Sequence, residues 1–134
     1  MEIWIVLVIM LGHFIADFIC QSEEMATKKS KDNMWLTYHS GVYATVTTFW
    51  MMLLVMIIHG FILETSPPST FVLFPFWCMV FGWHWVTDFL SSKLTSKLWK
   101  KKDYHNFFVV IGFDQWLHLV QLLIIYKVLL DGTV

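Results

Sequence analysis

The chain has 134 residues, 57% of them hydrophobic and only 14% charged, with a formal net charge of −1. Soluble domains carry about 25% charged residues, so this is the composition of a membrane protein of one domain, residues 1–134. Nine lysines and no arginine, with no basic aromatic surface, exclude a nucleic-acid binder. Two cysteines, Cys20 and Cys78, suggest neither a disulfide framework nor a zinc finger.

The first apolar segment covers about residues 2–20 and is close to the roughly 20 helical residues that cross a bilayer. It lacks a basic leading region and runs on into His13 and Asp17, so it reads as a retained span rather than a signal peptide. A polar connection, 21–34, carries Lys28, Lys29 and Lys31. The second segment, 35–63, contains His39, Tyr43 and His59. Pro67 and Pro68 end it, because proline cannot continue a helix. The third segment is 71–90. Residues 91–105 then alternate Leu94, Leu98 and Trp99 with Lys93, Lys97 and Lys100, which predicts a short amphipathic helix on the membrane surface. The fourth segment is 106–130.

These elements predict an all-α polytopic membrane protein with four transmembrane helices. Eight of the nine lysines lie in the 21–34 and 91–105 connections and none in 64–70. The positive-inside rule then puts both Lys-rich connections in the cytoplasm and both termini outside the inner membrane. Each half is a span ending in His-x-x-x-Asp-Phe, a Lys-bearing connection, and a second span. The halves therefore read as two parallel helical-hairpin repeats.

The polar residues inside these spans are the candidate site. His13 and Asp17 are spaced i, i+4 in segment one, followed by Gln21 at i+8. His84 and Asp88 repeat the pair in segment three. Segment four carries the reverse order, Asp114 then His118. Because it also runs in the reverse direction, each Asp stays shallow and each His lies one turn deeper. His39 enters at the same level. Seven groups, His13, Asp17, His39, His84, Asp88, Asp114 and His118, are thus expected in one layer below the cytoplasmic surface. The same depths separate Cys20 from Cys78 by roughly 20 Å, so the cysteines should be free.

Imidazole and carboxylate are ligands for Zn²⁺, Mn²⁺ or Fe²⁺, and an i, i+4 pair lets one helix face supply two of them. Seven candidates suit one or two ions, with some groups holding the ligands in place. Gln21, Tyr43, Gln115 and Gln121 are candidates for orienting ligands or binding substrate. The rival explanation is interhelical hydrogen bonding, worth about 0.6–2 kcal/mol. It suits one pair better than three pairs and His39 at one depth, where ionisable residues are costly. His59 lies outside the layer, near the outer interface.

The ordered set His13-x-x-x-Asp17-Phe18-x-x-Gln21, Lys28-Lys29, Leu36-x-x-His39-x-x-x-Tyr43, His84-x-x-x-Asp88 and Phe113-Asp114-Gln115-x-x-His118 resembles the DUF3307 family. These are small membrane proteins of bacteria and phages with no settled function. The resemblance implies a lysine one turn after the second His-x-x-x-Asp. This chain has Ser91 and Ser92 there, and the nearest lysine is Lys93.

The functional expectation is a metal-dependent hydrolase acting on a lipid-linked or small phosphorylated or acylated substrate at the cytoplasmic face. Water activated by the metal would attack, with Asp17 or Asp114 as general base. One alternative is a small transporter or channel, as a monomer or a homodimer, with the His/Asp layer as its ion or substrate site. Another is a structural or holin-like membrane protein. The partners expected in every case include the lipid bilayer.

Overall fold

The computed structural model describes residues 2–62 and 69–131. Helix α1 spans Ile3–Phe14 and ends in a π-helical turn, Ile15–Ile19. A short helix α2 follows, Glu23–Lys28. Helix α3 is Asn33–Ile57, with a π-helical turn at Ile58–Ile62. A 3₁₀ turn, Thr70–Val72, leads into α4, Leu73–Lys100, and then α5, Tyr104–Tyr126. The expected Pro67-Pro68 break lies outside the described residues.

The boundaries have local causes. The Ser22 hydroxyl accepts the Met25 backbone N–H at 3.3 Å and starts α2, while the buried Met25 side chain anchors it. Asp32 caps α3 by accepting the Met34 N–H at 2.8 Å, and Asp103 caps α5 by accepting the Asn106 N–H at 3.3 Å. Between α4 and α5 the chain turns in a Schellman motif. The Asp103 N–H reaches the Leu98 carbonyl and the Lys102 N–H reaches that of Trp99. Lys102 takes the left-handed conformation, φ 59°, that the motif requires.

Three stretches are long and apolar enough to cross a membrane: Asn33–Gly60, Thr70–Lys100 and Tyr104–Leu130. Ile3–Ile19 is apolar but shorter, roughly 25 Å at about 1.5 Å per residue. The expected surface helix at 91–105 is not a separate element, because α4 runs unbroken to Lys100. No proline or glycine interrupts that stretch. The Thr95 hydroxyl bonds back to the Ser91 carbonyl at 2.9 Å, so the polar residues stay within the helix.

Helices α1, α3, α4 and α5 pack as a ring, with α1 against α3 and α5, and α4 against the same two. Ile9, Leu36, Tyr43, Met51, Phe76, Leu122 and Ile125 fill its centre. The outer surface carries Leu7, Phe49, Phe74, Phe108, Trp116 and Val128 in exposed positions. His13, Asp17, His39, His84, Asp88 and His118 are buried. Polar groups inside and large apolar groups outside reverse the arrangement of a soluble domain and fit a lipid surround.

Close approach of α1 and α3 depends on Gly12. The Trp50 ring lies against its Cα, and a Cβ there would stand 2.8 Å from Trp50 Cγ and nearer still to Cδ1 and Nε1. The Trp50 indole N–H donates to the Val8 carbonyl at 3.0 Å, which satisfies a polar atom that lipid could not. Both cysteines are free.

Candidate metal centre

The π-helical turn at the end of α1 carries the buried Asp17. The Cys20 N–H bonds to the Ile15 carbonyl five residues back, and such single π turns recur at functional sites. His39 enters from the first turns of α3. His84 and Asp88 come from one face of α4, and Asp114 and His118 from α5.

Four atoms from three helical segments converge. His39 Nε2 lies 3.1 Å from His84 Nε2, 3.2 Å from Asp17 Oδ1 and 3.2 Å from Asp88 Oδ2. His84 Nε2 lies 3.7 Å from Asp17 Oδ1 and 3.6 Å from Asp88 Oδ2. Bonds of about 2.0–2.1 Å to a tetrahedral ion put ligand atoms roughly 3.3 Å apart. The three distances from His39 Nε2 fall close to that length, and the two from His84 Nε2 to the carboxylates are a few tenths of an ångström longer. A second group, His84, Asp88 and His118, also brings its ligand atoms within 4.8 Å of one another. Asp88 links the groups, because its Oδ1 is 3.2 Å from His118 Nε2 while its Oδ2 faces His39 and His84. A carboxylate in that position can serve one ion or bridge two. His84 belongs to both groups.

His13 does not join this set. Gln115 donates its amide N–H to Asp17 Oδ2 at 3.0 Å and Asp114 Oδ2 at 3.2 Å, and both carboxylates require a donor. The Gln115 carbonyl therefore faces His13 Nε2, at 3.0 Å. That nitrogen must carry the proton, which leaves Nδ1 to accept the Tyr43 hydroxyl at 2.8 Å. Both nitrogens of neutral His13 are thus engaged in a chain Tyr43–His13–Gln115 that holds two carboxylates. Tyr43 also stacks on the His84 ring, with centroids 3.7 Å apart, and His84 stacks on His118 at 4.2 Å.

Asp114 lies beside His118, with Oδ1 at 3.6 Å from Nε2, and that oxygen has no hydrogen-bond partner. Gln21 reaches the same side but its buried Oε1 has no partner. Gln121 lies deeper, where its amide donates to Thr87 Oγ1 at 2.9 Å, and it touches none of the carboxylates. His59 is buried in the π-helical turn that follows α3.

Sequence reasoning missed Lys29 as a member of the site. Its ammonium donates to Asp88 Oδ2 at 2.6 Å and stands 3.3 Å from His39 Nε2. Lys29 follows α2, so the short helix carries it across to a carboxylate of the other half. Three aspartates in one layer, Asp17 and Asp88 buried and Asp114 nearly so, demand a cation, and that charge balance was the available signal.

The DUF3307 family model, described as protein of unknown function, matches residues 5–133. The chain belongs to that family. No curated protein and no solved structure matches it. The DUF3307 layer can therefore be interpreted only from its own chemistry: two imidazoles and two carboxylates at metal-ligand spacing, a third imidazole and carboxylate beside them, and an amide and a lysine that restrain the acids.

Proposed function

We propose that this protein is a membrane-embedded, metal-dependent hydrolase whose site opens toward the Lys-rich, cytoplasmic side of the inner membrane. In this reading Ile3–Ile19 is the fourth span, shortened because the chain turns at the site. The observation that carries the proposal is the clustering of ligand-type atoms from Asp17, His39 and His84 within 4.8 Å of one another, with Asp88 Oδ2 3.2 Å from His39 Nε2 and 3.6 Å from His84 Nε2. These four residues would hold a divalent ion, Zn²⁺, Mn²⁺ or Fe²⁺, with His118 available toward a second position.

A bound ion would polarise the scissile group and supply a nucleophile from water at neutral pH. The protein's own groups divide the remaining work. Asp17 is committed to the ligand set, so Asp114, which lines the cavity and has one oxygen without a hydrogen-bond partner, is the better general base. Gln115 holds Asp114 and Asp17 at a fixed spacing, and His13 and Tyr43 hold Gln115. The packed far side of the bundle, with Met51, Phe76, Leu122 and Ile125 buried, favours an enzyme over a carrier, which needs an exit path.

The test is elemental analysis of detergent-purified protein after supplementation with zinc, manganese and iron in turn. At least one ion per chain is expected, removable by a chelator. A folded protein that carries no metal under all three conditions would overturn the metal reading and the hydrolase with it.

A further inference from the structure

A cavity of about 870 Å³ opens directly onto the candidate centre, with Asp17, Asp88, Asp114 and Gln115 in its lining. Its walls come from the α2 segment, the last three turns of α4 and the first turns of α5. Five lysines line it: Lys29, Lys31, Lys93, Lys97 and Lys100. Lys29 is paired with Asp88, and the Lys93 ammonium lies over the Phe89 ring, 3.4 Å from its centroid. Lys31, Lys97 and Lys100 have no carboxylate partner among the described residues. Ser92 also lines the cavity, and its Oγ is buried with no hydrogen-bond partner. A second part of the lining is apolar, with Phe18, Trp99, Phe107 and Ile111.

We infer that this cavity binds an amphiphilic phosphate ester, with the phosphate on the lysines above the metal centre and the hydrocarbon chain along the Phe18–Trp99–Phe107 wall. The inference rests on the hydrolase reading and narrows its substrate class. Several unneutralised lysines around one opening repel one another until an anion enters. A phosphate monoester brings about −1.5 to −2 charges and three acceptor oxygens, whereas the scissile group of a carboxylic ester brings no charge. Lysine serves phosphate as a point charge, and the unpartnered Ser92 hydroxyl adds a neutral donor. The cavity lies within the size range of small-molecule sites, about 300–1,000 Å³. The aromatic wall would be wasted on a wholly water-soluble phosphate.

Lys29 connects substrate to metal. Its ammonium touches Asp88 Oδ2 and His39 Nε2, two of the four atoms expected to hold the ion. Lys29 thus supplies the positive charge that these acids need when no ion is bound. An ion among the same atoms would repel the ammonium, which also lines the cavity and can turn toward a phosphate there. In hydrolysis the oxygen of water would form a new bond to phosphorus and the ester P–O bond would break. The water's own proton would pass to Asp114, and the departing alkoxide would take a proton from solvent water and leave as the alcohol, with Asp114 returning its proton to solvent.

The test uses full-length protein in zwitterionic nanodiscs, with calorimetric titration of octylphosphonate, inorganic phosphate and 1-octanoylglycerol, and zinc content measured separately. Octylphosphonate should bind at least tenfold tighter than either of the others. Lys29→Met should weaken it at least tenfold without lowering zinc content, and Lys101→Met, outside the cavity, should leave it unchanged. If Lys29→Met does not fold, the exposed pair Lys97→Met/Lys100→Met should weaken octylphosphonate severalfold. Equal affinity for the neutral glyceride, or octylphosphonate binding indifferent to Lys29 and to Lys97/Lys100, would overturn the inference. Equal affinity for inorganic phosphate would overturn its amphiphilic half and assign a soluble phosphate ester. A zinc-free protein that still binds octylphosphonate through Lys29 would overturn the metal reading alone.

Discussion

Asp88→Asn isolates the charge at the centre of the layer. Asp88 is 1% exposed, and its two oxygens meet Lys29 at 2.6 Å and His118 at 3.2 Å. Asparagine keeps one acceptor oxygen and replaces the other with a donor. If the amide nitrogen faces Lys29, donor meets donor. If it faces His118, the ammonium keeps an acceptor but loses its countercharge. Removing one partner from a buried ion pair costs about 3–5 kcal/mol. The Lys29 side chain is 18% exposed and can turn into the water of the cavity, which sets the expectation at the low end, about 3 kcal/mol. Lys29→Met/Asp88→Asn removes the stranded charge as well. The double variant should therefore be more stable than the sum of the single losses, by about 1.5–3 kcal/mol, the worth of a charged hydrogen bond. The assay is reversible unfolding by SDS titration in mixed micelles, with chelator present so that metal binding makes no contribution. Asp88→Asn within about 0.5 kcal/mol of wild type, or single losses that simply add, would refute the reasoning.

Gly12→Ala should destabilise the protein by about 1–3 kcal/mol in the same titration, because the new Cβ displaces the Trp50 ring and breaks its bond to the Val8 carbonyl. An unchanged midpoint would mean that α1 and α3 do not approach closely there. Lys31→Cys and Lys101→Cys, placed singly in a chain lacking Cys20 and Cys78, should resist a membrane-impermeant maleimide in intact cells and react after permeabilisation. Both positions are exposed, so labelling from outside would reverse the proposed orientation.

Much of the site was legible in the sequence because helical spacing and chain direction are enough to set depth. The i, i+4 pairs His84/Asp88 and Asp114/His118 each face inward together, and His39 joins them. Depth alone does not decide what a nitrogen bonds to. His13 sits in the layer, yet the orientation of the Gln115 amide, set by two carboxylates from different helices, turns it into a positioning group. Gln121 is on the correct helix but faces Thr87. Lys29 was read as a topology signal because its role depends on α2, a six-residue helix with no hydrophobic period to reveal it. The continuity of α4 was missed for a related reason. The change from apolar to Lys/Ser-rich composition after Phe89 marks a change of solvent, and the helix itself passes through it.

The two halves share His-x-x-x-Asp-Phe and then diverge, and that divergence bears on function. In the first half the helix ends in a π turn at Ile19, so the polar segment folds back and delivers Lys29 to Asp88 of the second half. In the second half the helix continues to Lys100, and Lys93 lies over Phe89 instead of crossing to Asp17. Asp17 is held by the neutral Gln115 amide. The matched carboxylates therefore have unlike partners, a charged ammonium on one and a neutral amide on the other. A carrier that alternates between two equivalent states gains nothing from that inequality. A hydrolase does, because one face of the centre must receive an anionic substrate while the other holds the ligands and the base still. The extended α4 and the folded-back α2 segment also both line the cavity, so the different continuations of the two His-x-x-x-Asp-Phe stretches supply both the Lys29 ammonium and the space beside it.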